Sequence, residues 1–523
     1  MNYEISHDPV SLKTVTEFAL QKKTYNNIHF SKDCLNRIES SHHYLLKTLE
    51  QRVPIYGVNT GYGASCHRTI ENNQSEQLQN NLIGYLQCGS GRNLNADESR
   101  AMCVIRLHSL SRGFSGVSEE LILHLGTLLE HDILPVVPVE GSLGASGDLI
   151  PLSYLGALVM GQGNALTADG VSETSDVFRS KNIEPYRLKA KEGLALVNGT
   201  SAMAGVSLIN LEQIKCLTSL QLIATSWLCL ALDGKTEAFG PLVNQHAKNH
   251  DGQTVAAATI SKILAEENYT PVSGLNIKIK ESLTDGVIQD RYSLRCSPQI
   301  LGPIIDTAEV FSTWLEQEIN SVSDNPLIDP NTGDIAMGGN FYGGYLSQGM
   351  DYLKISIANM ADHIDRQLTT LFDEQANRKL PPNLANWKEL PEDQRHLHHG
   401  LKALHQATNA ITSEIMAMAT PNSIFSRSSE SHNQDKVSLG MSAAVSCGLM
   451  IEKLFTIQTL NIVCLAQALD LKEIQLKGES SQKLYNMIRN HIPFVTHDQE
   501  LGSKLKPLTQ SLKTYFRSHG DMY

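Results

Sequence analysis

Three segments of this chain are predicted to form unusually long helices with apolar residues on more than one side. They span about residues 201–232, 304–322 and 437–472. Because a helix that is apolar almost all round must be covered by neighbours on every side, the three segments predict a long central helix bundle. A chain of 523 residues is long enough to bury such helices by itself, and copies of the chain can also share the bundle, so both arrangements stay open.

The rest of the chain is also predicted to be mainly helical, with a few short extended pieces. The segment 133–139 is extended but contains two prolines, which restrict it to short edge strands. We therefore expect a mainly α fold in which a smaller mixed N-terminal domain, residues 1–200, precedes a long-helix bundle domain, residues 201–523. Apolar residues recur three and four positions apart in three shorter segments, namely residues 74–87, 96–111 and 118–131.

The composition excludes several classes of partner. The chain has 43 Lys and Arg against 55 Asp and Glu, a formal net charge of -12, and no basic run occurs. A nucleic-acid partner needs a basic face, so we expect none and infer a small-molecule substrate. The N-terminus lacks the basic start and apolar core of a leader, and no run of about 18 apolar residues occurs. We therefore expect a cytoplasmic protein with no membrane partner.

No metal or nucleotide site is expected. The nine cysteines are dispersed, odd in number and never spaced as C-x-x-C, which is typical of reduced thiols. Neither a G-x-G-x-x-G run nor a phosphate loop occurs at a strand-to-helix junction. The polar, proline-bearing stretch 376–400 is expected to form an exposed connection or lid. Four histidines in or near it lack the H-E-x-x-H order of a zinc helix, namely His396, His398, His399 and His405.

The tripeptide Ala145-Ser146-Gly147 can build an electrophile from the chain itself. If the Gly147 nitrogen attacks the Ala145 carbonyl and two waters leave, one involving the Ser146 hydroxyl, the product is a 4-methylidene-imidazol-5-one ring (MIO). Gly147 has no Cβ, so its nitrogen can approach that carbonyl in a compressed turn. Protein side chains supply no electrophile, so the ring would act as a built-in cofactor. A hydrolase G-x-S-x-G elbow is excluded, because Asp148 stands where the last glycine is required.

Motifs recur along most of the chain, from about Ile55 to about Leu471. They are YGVNTGYG (56–63), NLIGYLQCGSG (81–91), GSLGASGDLIPLSYLGAL (141–158), GLALVNGTSAM (193–203), QDRYSLRCSPQ (289–299), SVSDNPLID (321–329), GGNFYGG (338–344) and SSESHNQDKVSLG (428–440). Together they resemble the aromatic amino acid lyase family, the histidine, phenylalanine and tyrosine ammonia-lyases with the related 2,3-aminomutases. The resemblance implies an ammonia-lyase-like fold, an MIO group without metal or nucleotide, and a homotetramer with shared active sites.

The resemblance implies a catalytic base in the loop 56–63. The family's tyrosine that matches Tyr56 takes the β-proton of the substrate, and Gly63 is implied to line the bound substrate. A phenol ordinarily has a pKa of about 10, so it acts as a base only where positive charge or helix N-termini stabilise the phenolate. A helix predicted to begin after Asp148 would place the positive end of a helix dipole beside the MIO ring.

The resemblance also implies the residues that hold the amino acid. Arg295 matches the arginine that binds the substrate carboxylate, for which a planar guanidinium can form two parallel hydrogen bonds. Tyr292, three residues earlier on the same side of a helical turn, is implied to contact the MIO group or the amino end, with Gln289 beside it. Asn198 matches an asparagine that hydrogen-bonds near the MIO oxygen, and capping the helix that follows is its alternative role.

Four further residues complete the implied site. Phe341 is implied to close the site against the ring, and Asn325 belongs to its Asp-Asn-Pro motif. Glu430 and Gln434 are implied to bracket the amino group and the released ammonia. The family commonly has Ser-Ala-Asn before Asp-Asn-Pro, whereas this chain has Ser-Val-Ser at 321–323. This departure leaves the motif itself intact.

Tyr85 and Leu86 match an adjacent pair that is associated with substrate choice in the family. The pair resembles Ser-His in histidine lyases, His-Leu in tyrosine lyases and Phe-Leu in phenylalanine lyases, so an apolar Leu86 favours an aromatic substrate. The Tyr85 ring can pack as Phe would, and its hydroxyl can bond a substrate phenol. We favour L-tyrosine over L-phenylalanine, with trans-4-hydroxycinnamate or trans-cinnamate as the product.

Three other functions stay open. A tyrosine or phenylalanine 2,3-aminomutase would use the same group and return ammonia to the β-carbon. Some tyrosine aminomutases have an acidic residue where this chain has Ala64, which favours a lyase. A histidine ammonia-lyase is disfavoured by Leu86 and by Gln434, where histidine lyases tend to have glutamate. A catalytically silent helical scaffold is the alternative that is not an enzyme, and it would keep the full mass of the chain.

Overall fold

The computed structural model describes residues 2–21, 25, 27–269 and 289–519. Most of these residues are helical, which confirms the mainly α prediction. In chain order the helices are α1 (Leu12–Ala19), α2 (Lys32–Glu50), α3 (Ser75–Leu86), α4 (Ala96–Ser111), α5 (Glu119–Glu130), α6 (Leu149–Val159), α7 (Thr174–Lys181), α8 (Glu192–Val197), α9 (Ser201–Ala231), α10 (Asp251–Glu266), α11 (Tyr292–Arg295), α12 (Ser297–Ile319), α13 (Gly344–Phe372), α14 (Lys402–Ala417), α15 (Gly440–Leu471), α16 (Glu479–His491) and α17 (Gly502–His519).

Short strands accompany the helices in the described part of the chain. They are β1 (Asn2–Ile5), β2 (Asn27–Phe30), β3 (Ser90–Asn93), β4 (Leu134–Pro135), β5 (Pro138–Glu140), β6 (Asn164–Thr167), β7 (Gly170–Glu173), β8 (Leu327–Asp329) and β9 (Asp334–Ala336). β1 and β2 pair in parallel, whereas β3–β5, β4–β6–β7 and β8–β9 are antiparallel. β1 to β7 lie before residue 200, as expected for a mixed N-terminal region.

Two of the predicted long helices, α9 and α15, form almost as the sequence predicts. The predicted start of the third helix near residue 304 is wrong, because α12 begins at Ser297. Pro303 lies in the second turn of α12, where it removes one backbone hydrogen bond. α9 and α15 are long and apolar enough to cross a membrane, but 89% and 78% of their most apolar windows are buried inside the protein. They are core helices of the bundle.

Sequence analysis does not predict α13, although it has 29 residues. Polar and charged residues interrupt its apolar ones, so it is not apolar all round. Its buried residues nevertheless recur every three or four positions, which gives one apolar stripe along the helix: Leu346, Met350, Leu353, Ile357, Met360, Ile364, Leu368 and Leu371. A helix with a single stripe carries a weaker sequence signal than one that is buried on every side.

The chain divides into two compact units. Unit 1 comprises Met1–Asn210, Phe311–Asp351 and Pro421–Gly448. Unit 2 comprises Leu211–Val310, Tyr352–Thr420 and Leu449–Tyr523. Each unit combines distant stretches, and α9, α12, α13 and α15 each have residues in both units. The predicted consecutive domains, with a boundary at residue 200, therefore stay a prediction about regions of the sequence.

Within unit 1, the starts of three long helices approach each other around Met203 in the first turn of α9. A Cβ placed on Gly343 or Gly440 would lie 2.2 or 2.4 Å from the Met203 Sδ atom. Further along, the Asn210 Nδ2 group of α9 donates a hydrogen bond to the Ala444 carbonyl of α15 at 2.8 Å. Small residues and one buried amide thus let α9, the start of α13 and α15 pack in close contact.

Within unit 2, a buried polar network around His363 joins α9, α11 and α13. The His363 Nε2 atom lies 2.8 Å from the Ser293 carbonyl oxygen, and Gln367 donates to the same oxygen at 2.9 Å. Gln221 of α9 donates to the Gln367 side-chain oxygen at 2.9 Å. Burial lowers the pKa of His363 to about 4, so the ring is neutral at neutral pH. The network fixes the backbone of α11.

The stretch 376–400, which belongs to unit 2, is an exposed connection only in its second part, since residues 391–400 are exposed or partly exposed, whereas residues 376–390 contain several buried side chains. Leu380, Leu384 and Leu390 are buried, and so is Asn377, whose side chain donates to the Leu380 carbonyl at 3.2 Å. The leucines are isolated among prolines and charges, and this composition hides their burial. Its role as a lid stays a prediction.

Gly205 provides a test of the packing of α9 against α4. A Cβ at Gly205 would lie 2.6 Å from the Met102 backbone nitrogen, so Gly205→Ala must displace α4 and should cost about 1–3 kcal/mol of stability. Gly84→Ala in α3 is the matched control, because a Cβ there meets nothing within 4 Å. It should stabilise the protein by about 0.5–1 kcal/mol. Urea midpoints that shift in the same direction would contradict this packing.

Candidate active site

The predicted tripeptide Ala145-Ser146-Gly147 forms a bend between β5 and α6, and its backbone lies close against Gly199. Gly147 has φ +70°, and a Cβ on it would lie 2.1 Å from the Gly199 carbonyl oxygen. The next residue, Asp148, donates its backbone N–H to that oxygen at 2.7 Å. Ala145 and Ser146 remain partly exposed. The turn therefore requires glycine at position 147 and leaves the first two residues of the tripeptide accessible.

Gly144 ties the same turn to the start of α15. It has φ +70°, and a Cβ on it would lie 2.3 Å from the Ser438 Oγ atom. The Ser438 and Leu439 backbone N–H groups donate to the Gly144 and Leu143 carbonyls at 3.4 and 3.3 Å. α6 begins at Leu149, as predicted, and α15 begins directly after these contacts. The starts of α6 and α15 thus lie beside the tripeptide, and helix starts carry partial positive charge.

Asp148 links the tripeptide to α9. Its carboxylate accepts hydrogen bonds from the Met203 backbone N–H at 2.7 Å and from the Ser142 hydroxyl at 3.0 Å. The side chain is fully buried, and burial raises its pKa to about 7. Glu318, whose own pKa is raised by burial, accepts from the Thr200 hydroxyl nearby. Two carboxyl groups whose pKa burial raises therefore lie at the start of α9, with Asp148 fully buried and Glu318 partly buried.

Asn198 follows α8, and only the nitrogen of its side-chain amide is hydrogen-bonded. Its Nδ2 group donates to the Asn325 carbonyl at 2.8 Å and to the Asp324 Oδ1 atom at 3.3 Å. Its Oδ1 atom is buried and has no hydrogen-bond partner among the described residues. The side chain does not cap α9, so its alternative role is not what the structure shows. Two predicted site residues, Asn198 and Asn325, are in contact.

Phe341 lies in a loop that Asn325 helps to hold. The Asn325 Oδ1 atom accepts from the Gly338 backbone N–H at 2.8 Å, and the Asn340 side chain donates to the Val322 carbonyl at 3.3 Å. Phe341 itself is partly buried and precedes Gly343, which packs on Met203. The loop brings Phe341 to the same helix starts as the tripeptide.

Tyr56 lies in the glycine-punctuated loop and is bonded to Gly63. The Gly63 backbone N–H donates to the Tyr56 phenol oxygen at 2.9 Å. Burial raises the pKa of Tyr56, the Gly63 bond lowers it, and the charges of Glu430 and Cys66 raise it further. The proposed role as a base requires positive charge that favours the phenolate. The described residues of unit 1 instead keep Tyr56 protonated.

Glu430 reaches this loop from a short hairpin. Its carboxylate accepts from the Ala64 backbone N–H at 2.8 Å, and a Cβ on Gly63 would lie 2.3 Å from its Oε2 atom. Glu430 has φ +51°, and the hairpin closes where the Ser429 and Gln434 backbones pair at 3.0 and 3.2 Å. Three predicted residues, Tyr56, Gly63 and Glu430, are therefore brought together, and Gln434 lies across the hairpin from Ser429.

Tyr85 and Leu86 end α3 and face different environments. Leu86 is buried at 7% exposure, whereas Tyr85 is 62% exposed. Burial of part of the Tyr85 ring raises the pKa of its phenol, and Tyr56 and Glu430 raise it further by their charges. Tyr62, which was not predicted, belongs to the same group of phenols: burial raises its pKa, and Tyr85 and Tyr56 raise it further. Its place in the motif YGVNTGYG was the available signal.

The remaining predicted residues belong to unit 2. Tyr292 and Arg295 share the single turn α11, as predicted, and the guanidinium lies 4.4 Å from the centre of the Tyr292 ring. The Arg295 Nε atom donates to the Asp290 carbonyl at 3.0 Å. Tyr292 is 70% exposed and Gln289 is exposed. These residues form a compact cationic and aromatic surface, and the network around His363 anchors the backbone beneath it.

Three buried charged residues near Asn198 were missed by sequence analysis. Arg106, Lys191 and Asp324 are all shielded from solvent. Burial lowers the pKa of Arg106 to about 10 and also lowers the pKa of Lys191. Among the described residues, no group of three or more His, Cys, Asp and Glu could hold a metal ion.

Asp148→Asn tests the raised pKa of this buried carboxyl. The folded protein holds this proton more tightly than the unfolded chain, in which the pKa of an aspartate is 3.8. The stability that Asp148 contributes is therefore present below about pH 4 and is lost as pH rises through about 7, at up to about 1.4 kcal/mol per pH unit. The asparagine variant lacks this loss. Its urea midpoint relative to wild type should rise over that range, and a constant difference would contradict the shift.

Comparisons with known proteins give the same family as these motifs. The aromatic amino acid lyase family matches residues 10–490. A tyrosine ammonia-lyase of Cupriavidus metallidurans is 34% identical over 471 residues, covering 88% of this chain and 87% of that protein. A tyrosine 2,3-aminomutase of a Myxococcus species is 34% identical over 443 residues, covering 83% of each.

The fold is similar to that of a solved member of the same group. The phenylalanine aminomutase of Pantoea agglomerans superposes with a TM-score of 0.90 at 31% identity, covering 98% of both chains. The family match spans most of the chain, and two of these relatives exceed 30% identity over most of their length. The chain therefore belongs to the aromatic amino acid lyase family and is a carbon–nitrogen lyase with the mainly α fold of that family.

Proposed function

We propose that this enzyme is an ammonia-lyase that uses MIO and removes ammonia from an aromatic L-amino acid. L-Tyrosine is favoured over L-phenylalanine, and the products are trans-4-hydroxycinnamate or trans-cinnamate. One observation carries the proposal: the turn at Ala145-Ser146-Gly147 is compressed against Gly199, with Ser146 partly exposed beside several helix starts. A turn of this kind suits cyclisation, and its surroundings favour negative charge.

The residues around the turn fit an MIO group. Gly144 and Gly147 leave no room for a side chain, so the backbone of Ala145 and Gly147 is already confined. The starts of α6 and α15 would hold the ring, whereas the Nδ2 group of Asn198 already donates to Asn325 and Asp324 and is not free to donate to the MIO oxygen. When formed, the ring supplies an electrophilic methylene carbon that a substrate amino group can attack.

Tyr56 is the proposed base for the substrate β-proton. Its phenol oxygen is fixed by the Gly63 N–H, and the carboxylate of Glu430 lies against the same glycine. Because burial and Glu430 both raise the pKa of Tyr56, ionisation needs a positive charge that unit 1 does not place beside it. Glu430 itself is placed to accept hydrogen bonds from a substrate ammonium group.

Arg295 is the proposed partner of the substrate carboxylate. Its Nε atom is used by the Asp290 carbonyl, and its Nη1 and Nη2 groups have no hydrogen-bond partner among the described residues. Both terminal groups can therefore bind one carboxylate side by side. Tyr292 and Gln289 flank this arginine on the same exposed surface.

We further propose that Arg295, Tyr292 and Gln289 complete the site of a neighbouring copy in a homotetramer. Large apolar and aromatic side chains are exposed along α13, at Tyr345, Tyr352 and Ile355. Their spacing of seven and three residues places them on one side of the helix. A monomer seldom exposes such a row, which is typical of a surface that pairs with another chain.

Tyr56→Phe tests the base. It should lower kcat by at least about a hundredfold, because general base catalysis contributes that much or more. The mass of the intact variant should still show the loss of two waters, whereas Ser146→Ala should keep them. Tyr154→Phe is the matched control, since the Tyr154 phenol oxygen also accepts a backbone N–H, from Gly89 at 3.1 Å. Near-normal turnover of Tyr56→Phe would show that the base is assigned wrongly.

Assays with L-tyrosine, L-phenylalanine and L-histidine test the reaction and the substrate. The wild type should give trans-4-hydroxycinnamate from L-tyrosine fastest. Tyr85→Phe should lower the ratio of kcat/KM for tyrosine over phenylalanine by about tenfold, because one hydrogen bond to the substrate phenol is lost. An unchanged ratio would remove Tyr85 from substrate selection.

A 2,3-aminomutase is the second candidate function, and two of the similar proteins favour it. A tyrosine 2,3-aminomutase and a phenylalanine aminomutase resemble this chain as closely as a tyrosine ammonia-lyase does. Release of a β-amino acid in the same assay, measured beside the acrylate, would identify an aminomutase. Ala64, whose N–H binds Glu430, is the residue on which we favour the lyase.

A further inference from the structure

A fully buried ion pair lies next to Asn198 and has no role in the mechanism above. The Lys191 Nζ atom lies 2.6 Å from the Asp324 Oδ2 atom, and both side chains have no exposed surface. Lys191 has φ +75° and stands immediately before α8. An isolated buried pair gains little for stability over an apolar pair of similar size, so its presence calls for a second reason.

The second carboxylate oxygen of Asp324, Oδ1, is hydrogen-bonded to two residues of the candidate site. Asp324 Oδ1 accepts hydrogen bonds from the Asn325 backbone N–H at 2.7 Å and from the Asn198 Nδ2 group at 3.3 Å. The second Nδ2 proton of Asn198 goes to the Asn325 carbonyl at 2.8 Å. Both amide protons are thus used, and an amide with its nitrogen held in this way cannot flip. The Asn198 oxygen is the atom left open.

Arg106 holds the backbone of the same residue. Its Nη2 group donates to the Asn198 carbonyl at 2.9 Å and to the Ala195 carbonyl, and its Nη1 group donates to the Ser323 hydroxyl at 3.3 Å. Arg106 therefore fixes the main chain of Asn198, while Asp324 fixes its side chain. Lys191 donates to the Asp324 Oδ2 atom at 2.6 Å and so holds the carboxylate of Asp324 in place.

We propose that Asp324, with Lys191 as its counterion, is a positioning residue that orients the Asn198 amide for the reaction. The inference rests on the proposed function, since it gives Asn198 a part in catalysis. In this arrangement Asn198 presents its oxygen and not its nitrogen, so it accepts a hydrogen bond. The donor that the reaction supplies is the amino group of the substrate.

Two double variants separate orientation from charge. Lys191→Met/Asp324→Asn removes both charges but keeps an oxygen at position 324 that can accept from Asn198. Lys191→Met/Asp324→Ala removes both charges and that oxygen. Removing the two charges together avoids an unpaired buried charge, which is strongly destabilising. If Asp324 acts through Asn198, kcat of the alanine double variant should fall about a hundredfold below that of the asparagine double variant, with KM little changed.

Asn198→Ala shows whether the effect passes through Asn198. In that background the two double variants should have equal kcat, because no amide remains to orient. The masses of all variants should show the loss of two waters. Asp132→Asn is the control for a lost ion pair elsewhere in unit 1, since Asp132 binds Arg100 at 2.7 and 3.0 Å, and its kcat should stay within about twofold of wild type.

A second cycle needs no turnover. In a Ser146→Ala background, which cannot form the ring, Lys191→Met/Asp324→Ala and Asn198→Ala should shift the urea midpoint less in combination than the sum of their separate shifts, because they remove one shared hydrogen bond.

Several results would overturn the inference. They are equal kcat for the two double variants, an undiminished effect in the Asn198→Ala background, additive urea shifts, or retained waters in the alanine double variant alone. If the wild type keeps its waters and turns over none of the three amino acids, the proposed function fails. The urea cycle then still decides whether Asp324 orients Asn198.

Discussion

The close approach of the backbones at Gly147 and Gly199 is the contact on which the site depends. A Cβ on Gly147 would lie 2.1 Å from the Gly199 carbonyl oxygen, and Asp148 donates to the same oxygen. α6 begins after one of these glycines and α9 begins after the other. The contact therefore sets the position of the tripeptide, of Asn198 and of two helix starts at once. A side chain at Gly147 would force this contact apart, and a side chain at Gly199 would instead collide with Arg106 and Ser323.

Charge around this contact is balanced between buried groups of both signs. Arg106 and Lys191 lie near Asn198, and Asp148 and Glu318 lie at the start of α9. Burial opposes ionisation in both carboxyl groups and charge in both cations. Helix starts add partial positive charge that no proton can remove. Asp324 pairs with Lys191 directly, which leaves Arg106 and the helix starts as the remaining positive groups around the contact.

A helix or strand is predicted correctly where neighbouring residues in the sequence carry the whole signal for it. α4 matches the predicted segment 96–111, and an Asn95–Glu98 capping box explains its sharp start. The motif residues Tyr56, Gly63 and Glu430 lie in contact, and their roles in the reaction stay predictions. Buried charged residues have no such local signal. Arg106 lies 92 positions from Asn198, and Lys191 lies 133 positions from Asp324, so their burial follows only from the meeting of distant segments.

The protonation state of Tyr56 gives a physical reason for the proposed assembly of several chains. In unit 1, burial and Glu430 hold its pKa above the ordinary value of 10. A phenol in that state is a poor base, so a site made of unit 1 alone would lack one of its functions. α11 carries Arg295 over the ring of Tyr292, and that ring is exposed although it is large and aromatic. A cation presented outward on a rigid turn is what a neighbouring Tyr56 needs, because positive charge nearby lowers the pKa of a phenol. The same cation would bind the substrate carboxylate, so binding of substrate and ionisation of the base would be coupled.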